Sequence, residues 1–283
     1  MLHLGDQIGL IACSDGRAPE QRDRIEAVKQ FFINWGLKIK EAKTIYRKKG
    51  DFWSGQPEER AQELMSFYSN PEIKAIFDLS GGDSANQVLP YLDFNIIKQS
   101  FKPFFGYSDL TVILNSLFNQ ANHPSYLYQV MHLVGKDGLK QQEELYQLLF
   151  NQAPKINFDY SWIHGDTMSG TMIGGNIRCL LKLAGTKYLP DPKGKILFLE
   201  SRSGSRNRIA TYFAQLDQIG YFSQITGLFL GQFTELEQED GSNRLFDLIK
   251  PFQDRYRFPI IKTDQIGHSS DSRFLKLGMY YVF

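Results

Sequence analysis

Short apolar runs alternate with longer amphipathic segments through the first hundred residues, and each run closes on a small or polar turn. Residues 8–13 read as a buried strand ending at Ser14-Asp15-Gly16. Residues 22–35 follow with Ile25, Val28, Phe31, Phe32 and Trp35 at helical spacing, and Gly36 stops the helix. Residues 37–40 suggest a second strand, and 57–68 a second helix with Ala61, Leu64, Met65 and Tyr68 on one stripe. Residues 73–79 form a third strand that ends at Ser80-Gly81-Gly82-Asp83-Ser84. A short helix over 86–92 and a strand over 103–105 complete the series. Such alternation predicts an α/β fold whose first half is a mainly parallel sheet with helices on both faces. Sites in these sheets form beyond the carboxyl ends of the strands. The Gly81-Gly82 loop and Ser108, each just past a strand, should therefore share one edge.

The remainder is expected to be a β-rich α+β unit. Residues 141–171 look less regular, with Asn151-Gln152-Ala153-Pro154 and His164-Gly165-Asp166 as a connection. Gly174-Gly175-Asn176 then opens a helix through Ala184. Strands are expected over 195–199, 226–231 and 258–262, and helices over 208–219 and 244–252. The length of 283 residues suits two domains: 1–150, a linker over 151–172, and 173–283.

Composition narrows the function. The formal net charge is +1, and the densest basic cluster is only Arg47-Lys48-Lys49, which argues against nucleic acid as a partner. No apolar run is long enough to cross a bilayer, and residues 1–6 lack a signal-peptide pattern, so a cytoplasmic protein without membrane contact is expected. Cys13 and Cys179 have neither metal nor disulfide spacing. His123, His132 and His164 share no ligand spacing, and no cofactor or metal is expected.

Chemistry concentrates in Phe104-Phe105-Gly106-Tyr107-Ser108-Asp109-Leu110-Thr111. A serine at this strand-to-helix junction has two readings. It is a helix N-cap, or it is a nucleophile held beside amides that can stabilise an anion. Glu200 ends the apolar strand Ile196-Leu197-Phe198-Leu199, where a carboxylate needs a partner or solvent. His268 follows Gly267 after another apolar strand, as a cap, a surface residue or a base. The chain order Ser, Glu, His also occurs in α/β-hydrolases. Their Gly-x-Ser-x-Gly elbow is absent, because Leu110 stands at the second glycine position. Either the serine is not on that elbow, or another fold has converged on the chemistry.

The Gly81-Gly82 loop with Leu89-Pro90-Tyr91-Leu92-Asp93, then Gly106-Tyr107-Ser108-Asp109, Gly174-Gly175-Asn176, the run from Leu189 to Glu200, and Gly267-His268 occur in that order. Together they resemble the LD-carboxypeptidase family of serine peptidases, which includes the microcin C immunity peptidases. The resemblance covers nearly the whole chain. It implies a Ser108-His268-Glu200 triad, with the serine on the N-terminal α/β domain and its partners on the C-terminal one. The amides of Asp109 and Gly82 would form the oxyanion hole. It further implies a cytoplasmic homodimer acting on a small peptide, with release of terminal D-alanine from murein tetrapeptides as the activity.

Some features depart from the murein type. The loop reads Gly81-Gly82-Asp83-Ser84-Ala85-Asn86 where many members have Gly-Gly-Tyr-Gly, and residues 119–133 lack the usual Gly-Leu-x-x-x-His-Gly-Pro pattern. The loop form and Asp240-Gly241-Ser242-Asn243-Arg244 resemble the microcin-immunity branch, which hydrolyses a peptidyl-nucleotide. A binding protein without turnover is a third reading of the same fold. Trp162 is either an aromatic platform at the substrate entrance or a packing residue, and Arg202 either pairs with a substrate carboxylate or is solvated.

Overall fold

The protein is described by a computed structural model over residues 1–48, 50–51, 53–151 and 156–283. Lys49 of the basic cluster and residues 152–154 of the expected connection lie outside the described residues.

Ile25, Val28 and Phe32 are the buried stripe that makes residues 22–34 a helix. Pro57 at the first position and reciprocal capping between Gln56 and Glu59 start the next one. In chain order the first half runs β1 (Gln7–Ile11), α1 (Arg22–Asn34), β2 (Lys38–Glu41), α2 (Pro57–Ser69), β3 (Ile73–Asp78), α3 (Phe94–Gln99), β4 (Phe104–Gly106), α4 (Thr111–Ala121), β5 (Ser125–Leu127) and α5 (Gly138–Phe150). The second half runs β6 (Ser161–His164), β7 (Ser169–Asn176), α6 (Ile177–Leu181), β8 (Lys195–Ser201), α7 (Arg206–Gln218), β9 (Gly227–Phe233), α8 (Thr234–Asp240), α9 (Ser242–Tyr256), β10 (Ile260–Lys262), β11 (Leu275–Leu277) and β12 (Tyr280–Val282).

These strands build two six-stranded sheets, ordered β11-β5-β4-β3-β1-β2 and β12-β7-β8-β9-β10-β6. In the first sheet every pairing is parallel except β11 with β5. The strand order reverses direction at β1, where β2 lies to one side and β3 to the other. The crevice between the carboxyl ends of β1 and β3 is thus the switch point where α/β sheets bind ligands. The expected α/β architecture, with a mainly parallel N-terminal sheet, is present. The second sheet is also parallel through β7, β8, β9 and β10, with antiparallel strands only at its edges.

One expectation needs correction. Residues 141–150 are not irregular but belong to α5, whose buried positions are Gly138, Gln141, Leu145 and Leu149. Within residues 151–172 lie β6 and the start of β7, and Trp162 and His164 pair with β10. Within residues 173–283, β11 leaves the second sheet and pairs with β5 of the first.

The two sheets meet across α4. This helix is buried nearly all round, with Thr111 to Leu117 and Ala121 all inaccessible. Its apolar side chains share one cluster with Met172 of β7 and Phe198 of β8. Polar contacts fix its register. Asn115 Nδ2 donates to the Gly174 carbonyl at 2.8 Å and Asn115 Oδ1 accepts from the Gly174 amide at 2.9 Å, so one side chain pairs with β7 as a neighbouring strand would. The Asn176 amide donates to Thr111 Oγ1 at 3.0 Å. Gly175 has a positive φ of 135°, and a Cβ there would lie 2.6 Å from Thr111 Oγ1, so only glycine allows this approach.

Replacing Asn115 with leucine, of similar volume, leaves the Gly174 N–H and C=O buried and unpaired. The expected loss is about 2–4 kcal/mol of unfolding free energy, read by urea denaturation; a loss under about 0.5 kcal/mol would show that this pairing is not what seats α4.

Candidate active site

Strand β4 ends at Gly106, Tyr107 is extended, and the chain then turns sharply into a 3-10 turn that feeds α4. Ser108 sits at the turn with φ 55°, a left-handed conformation that side-chain-bearing residues rarely adopt. The turn lifts the hydroxyl out of the helix, where it is partly accessible.

His268, in the loop after β10, bridges Ser108 and Glu200. Its Nδ1 lies 2.7 Å from Glu200 Oε2, and its Nε2 lies 3.2 Å from Ser108 Oγ. An ionised carboxylate only accepts, so Nδ1 carries the proton and Nε2 is left to accept from the serine hydroxyl. Glu200 is fully buried. Its second oxygen accepts from Asn176 Nδ2 at 3.0 Å, and Asn176 is its register partner on β7. The contact of α4 with β7 thereby sets the distance between the serine turn and the carboxylate.

Two side chains hold the His268 loop. Tyr107 donates through its hydroxyl to the Gly267 carbonyl and sets its ring edge-on to the imidazole, centroids 4.9 Å apart. Gln232, at the end of β9, donates to the Asp264 carbonyl at 2.5 Å and to Ser269 Oγ at 2.9 Å, and accepts from the Ser269 amide at 3.2 Å. A Cβ at Gly267 would overlap the Gln232 side chain. Beside His268 opens a cleft of ≈ 530 Å³ whose wall is polar and includes Gln232, Thr234, Glu237 and Asp264.

The glycine loop lies on the same sheet edge. Gly82 has φ 135°, and a Cβ there would overlap the Asp15 carboxylate. Asp15 Oδ1 accepts from the Asp83 amide at 3.1 Å and from Ser84 Oγ at 2.7 Å. The Asp109 carboxylate, fully buried, accepts from Ser14 Oγ at 2.6 Å, from the Ala85 amide at 2.8 Å and from Lys182 Nζ at 2.6 Å. Residues 14, 85 and 109 are thus tied together next to the serine. Burial works against the Lys182 charge, yet the Asp109 carboxylate beside it holds the ammonium above its ordinary pKa. Arg60, fully buried, braces the loops from behind by donating to the Cys13 carbonyl at 2.6 Å, to Ser84 and to Gln87. Asp15, Arg60 and Gln232 carried no signal in the sequence, because their partners are distant in the chain.

The other candidates lie apart. Trp162 on β6 stands opposite Ile261 and packs near Tyr160, with no hydrogen bond or ring contact to Ser108, Glu200 or His268. Arg202 is exposed, and among the described residues its side chain has no ion-pair partner. Burial first, and then the His268 charge, push the His132 imidazole down to about 4.

Ser108, His268 and Glu200 thus form a hydrogen-bonded chain where the two sheets meet. Residues 8–128 match the LD-carboxypeptidase N-terminal domain and residues 169–282 the LD-carboxypeptidase C-terminal domain, and the chain belongs to this family. The Microcin C7 self-immunity protein MccF of Escherichia coli is 25% identical over 312 residues, covering 98% of this chain and 90% of that protein. The murein tetrapeptide carboxypeptidase of Pseudomonas aeruginosa is 27% identical over 239 residues, covering 80% and 78%. Among solved structures, MccF in complex with glutamyl sulfamoyl guanosine superimposes with a TM-score of 0.88 at 22% identity, over 99% of this chain and 93% of that one. Muramoyltetrapeptide carboxypeptidase from Oxalobacter formigenes gives 0.84 at 24% identity, over 98% and 94%. The family is one of carboxypeptidases and MccF-like peptidases. No helix of the described residues is long and apolar enough to cross a membrane.

Gln232→Ala should lower peptidase kcat about 10- to 100-fold with KM nearly unchanged, because a loosened His268 loop misplaces the imidazole; an unchanged kcat would assign Gln232 to packing alone. A second expectation concerns acid. His132 is neutral when folded and gains a proton near pH 6.5 when unfolded, so its contribution to stability is complete above pH 6.5 and lost as pH falls toward 4. Replacing it with glutamine should flatten the stability–pH curve in that window by up to about 3 kcal/mol, followed by urea melts at stepped pH.

Proposed function

We propose that the protein is a serine carboxypeptidase that releases terminal D-alanine from murein tetrapeptides. The hydrogen-bonded chain from Ser108 through His268 to Glu200 carries this reading. As Ser108 Oγ attacks the carbonyl carbon before the terminal residue, His268 Nε2 takes the hydroxyl proton. Glu200, anchored by Asn176, keeps the imidazole in the required tautomer and stabilises its charged form. The tetrahedral oxyanion accepts hydrogen bonds from the amides of Asp109 and Gly82, each such donor contributing roughly 3–4 kcal/mol to barrier lowering. The C–N bond then breaks and His268 returns its proton to the leaving amine. Water attacks the acyl-enzyme by the same route. The polar cleft beside His268 suits a small hydrophilic peptide. The enzyme so read is a cytoplasmic homodimer with its nucleophile in residues 1–150 and its two partners in 173–283.

One observation favours a second substrate, a peptidyl-nucleotide of the microcin C type. The loop Gly82-Asp83-Ser84 has the form of that branch, and the MccF match spans 98% of the chain.

Ser108→Ala should reduce D-alanine release from a murein tetrapeptide by at least ~1,000-fold while leaving the melting temperature within a few degrees. Equal release by both proteins would end the assignment of the serine. Turnover of an aspartyl-nucleotide, but not of the tetrapeptide, by one wild-type preparation would select the second substrate.

A further inference from the structure

Three arginines gather at the carboxyl edge of the first sheet, and among the described residues none is paired with a carboxylate. The chain beyond β1 stays bridged to the chain beyond β2: the Arg17 amide donates to the Ile45 carbonyl and the Arg47 amide to the Arg17 carbonyl, both at 2.8 Å. Arg47 Nε reaches the Gly16 carbonyl at 3.4 Å. Arg17 Nε donates to the carbonyl of Leu79, the residue that follows β3. Its head group therefore sits in the crevice between the ends of β1 and β3, on the sheet edge that also carries the glycine loop and Ser108. The next strand beyond β3, about 4.8 Å further on, is β4, which delivers Ser108.

Arg17 is half-buried, and among the described residues its two Nη groups have no hydrogen-bond acceptor. Burial foremost, with the like charges of Arg24 and Arg47, pushes its pKa down to about 10, still charged at neutral pH. Asp78 opposes this, but its oxygens already accept from the Cys13 and Ser80 amides and from Ser80 Oγ. A desolvated cation with two like neighbours and a free donor fork is a receptor for an anion, and a carboxylate matches the fork with two parallel bonds. In a peptide cut before its last residue, the terminal carboxylate carbon lies three bonds from the carbonyl carbon under attack, within about 4 Å. A peptide held at Ser108 therefore keeps that carboxylate on the sheet edge where Arg17 stands.

We infer that Arg17, backed by Arg24 and Arg47, binds the terminal carboxylate of the residue that leaves. The inference rests on the peptidase reading above. It gives the chain a reason to cut only at a free carboxyl end, since an internal peptide bond offers no charge at that place. A nucleotide phosphate is the other anion that such a fork would accept.

The test uses the Ser108→Ala protein and calorimetric titration with a murein tetrapeptide ending in D-alanine, as free acid and as carboxamide, and with AMP. The acid is expected to bind about 10- to 100-fold tighter than the amide, the range of a lost charge-assisted contact. Arg17→Met should erase that gap and Arg17→Lys restore part of it. A gap that survives in a folded Arg17→Met protein overturns the inference. Should that variant not fold, Arg24→Met and Arg47→Met, both at exposed positions, should each narrow the gap, and no narrowing in either overturns it. AMP binding tighter than the acid and abolished by Arg17→Met would give the site to a phosphate and overturn the carboxylate assignment. An enzyme that cleaves the tetrapeptide but keeps its acid preference without Arg17 refutes this inference alone. A wild-type protein that neither binds nor cleaves either peptide refutes the peptidase reading together with it.

Discussion

The contact between Asn115 of α4 and the backbone of Gly174 on β7 is the constraint on which the rest of the structure depends. An asparagine amide carries a donor and an acceptor in the same geometry as a peptide unit, so it can stand in for a strand where a helix meets a sheet. Here it locks the helix behind Ser108 to the strand that ends at Asn176. Asn176 in turn holds Glu200. A shift of α4 along β7 would move the hydroxyl and the carboxylate apart by the same amount. The glycines at 174 and 175 let that contact form, because any side chain at 175 would strike Thr111.

A second layer of order surrounds the turn. Asp109 follows Ser108 directly, yet its carboxylate points away from the cleft into a ring of Ser14, Ala85 and Lys182. Asp15 organises the glycine loop, and Arg60 supports both loops from below. The loops at the carboxyl ends of β1, β3 and β4 are therefore tied to one another. The left-handed backbone at Ser108 costs about 1–3 kcal/mol, and this frame holds it in place.

Much of the architecture was legible because it rests on local periodicity. The stripes at Ile25, Val28 and Phe32 and at Ala61 and Leu64 are strong, and β1, β3 and β4 each end in a recognisable turn. Helix α5 was illegible because two of its four buried positions are Gly138 and Gln141, which dilute the apolar stripe. Strands β11 and β12 have three residues each, too few for an alternating pattern to show. Ser108, Glu200 and His268 could be named from their places at strand ends and from the order of motifs. Their supports could not. Gln232 and Arg60 look like ordinary polar residues until the fold brings residues 264–269 and 13–14 to them.

Strand β11 closes an edge of the first sheet and β12 an edge of the second, and only Gly278 and Met279 separate them. The tail thus works as a buckle across two halves that were laid down in sequence. On a ribosome, where residues emerge from the N-terminus onward, β1 to β5 can pair long before this buckle exists, and the imidazole at 268 arrives only shortly ahead of it. The strands that carry the serine turn are therefore made well before Glu200 and His268, the two side chains that complete its hydrogen-bonded chain in the finished fold.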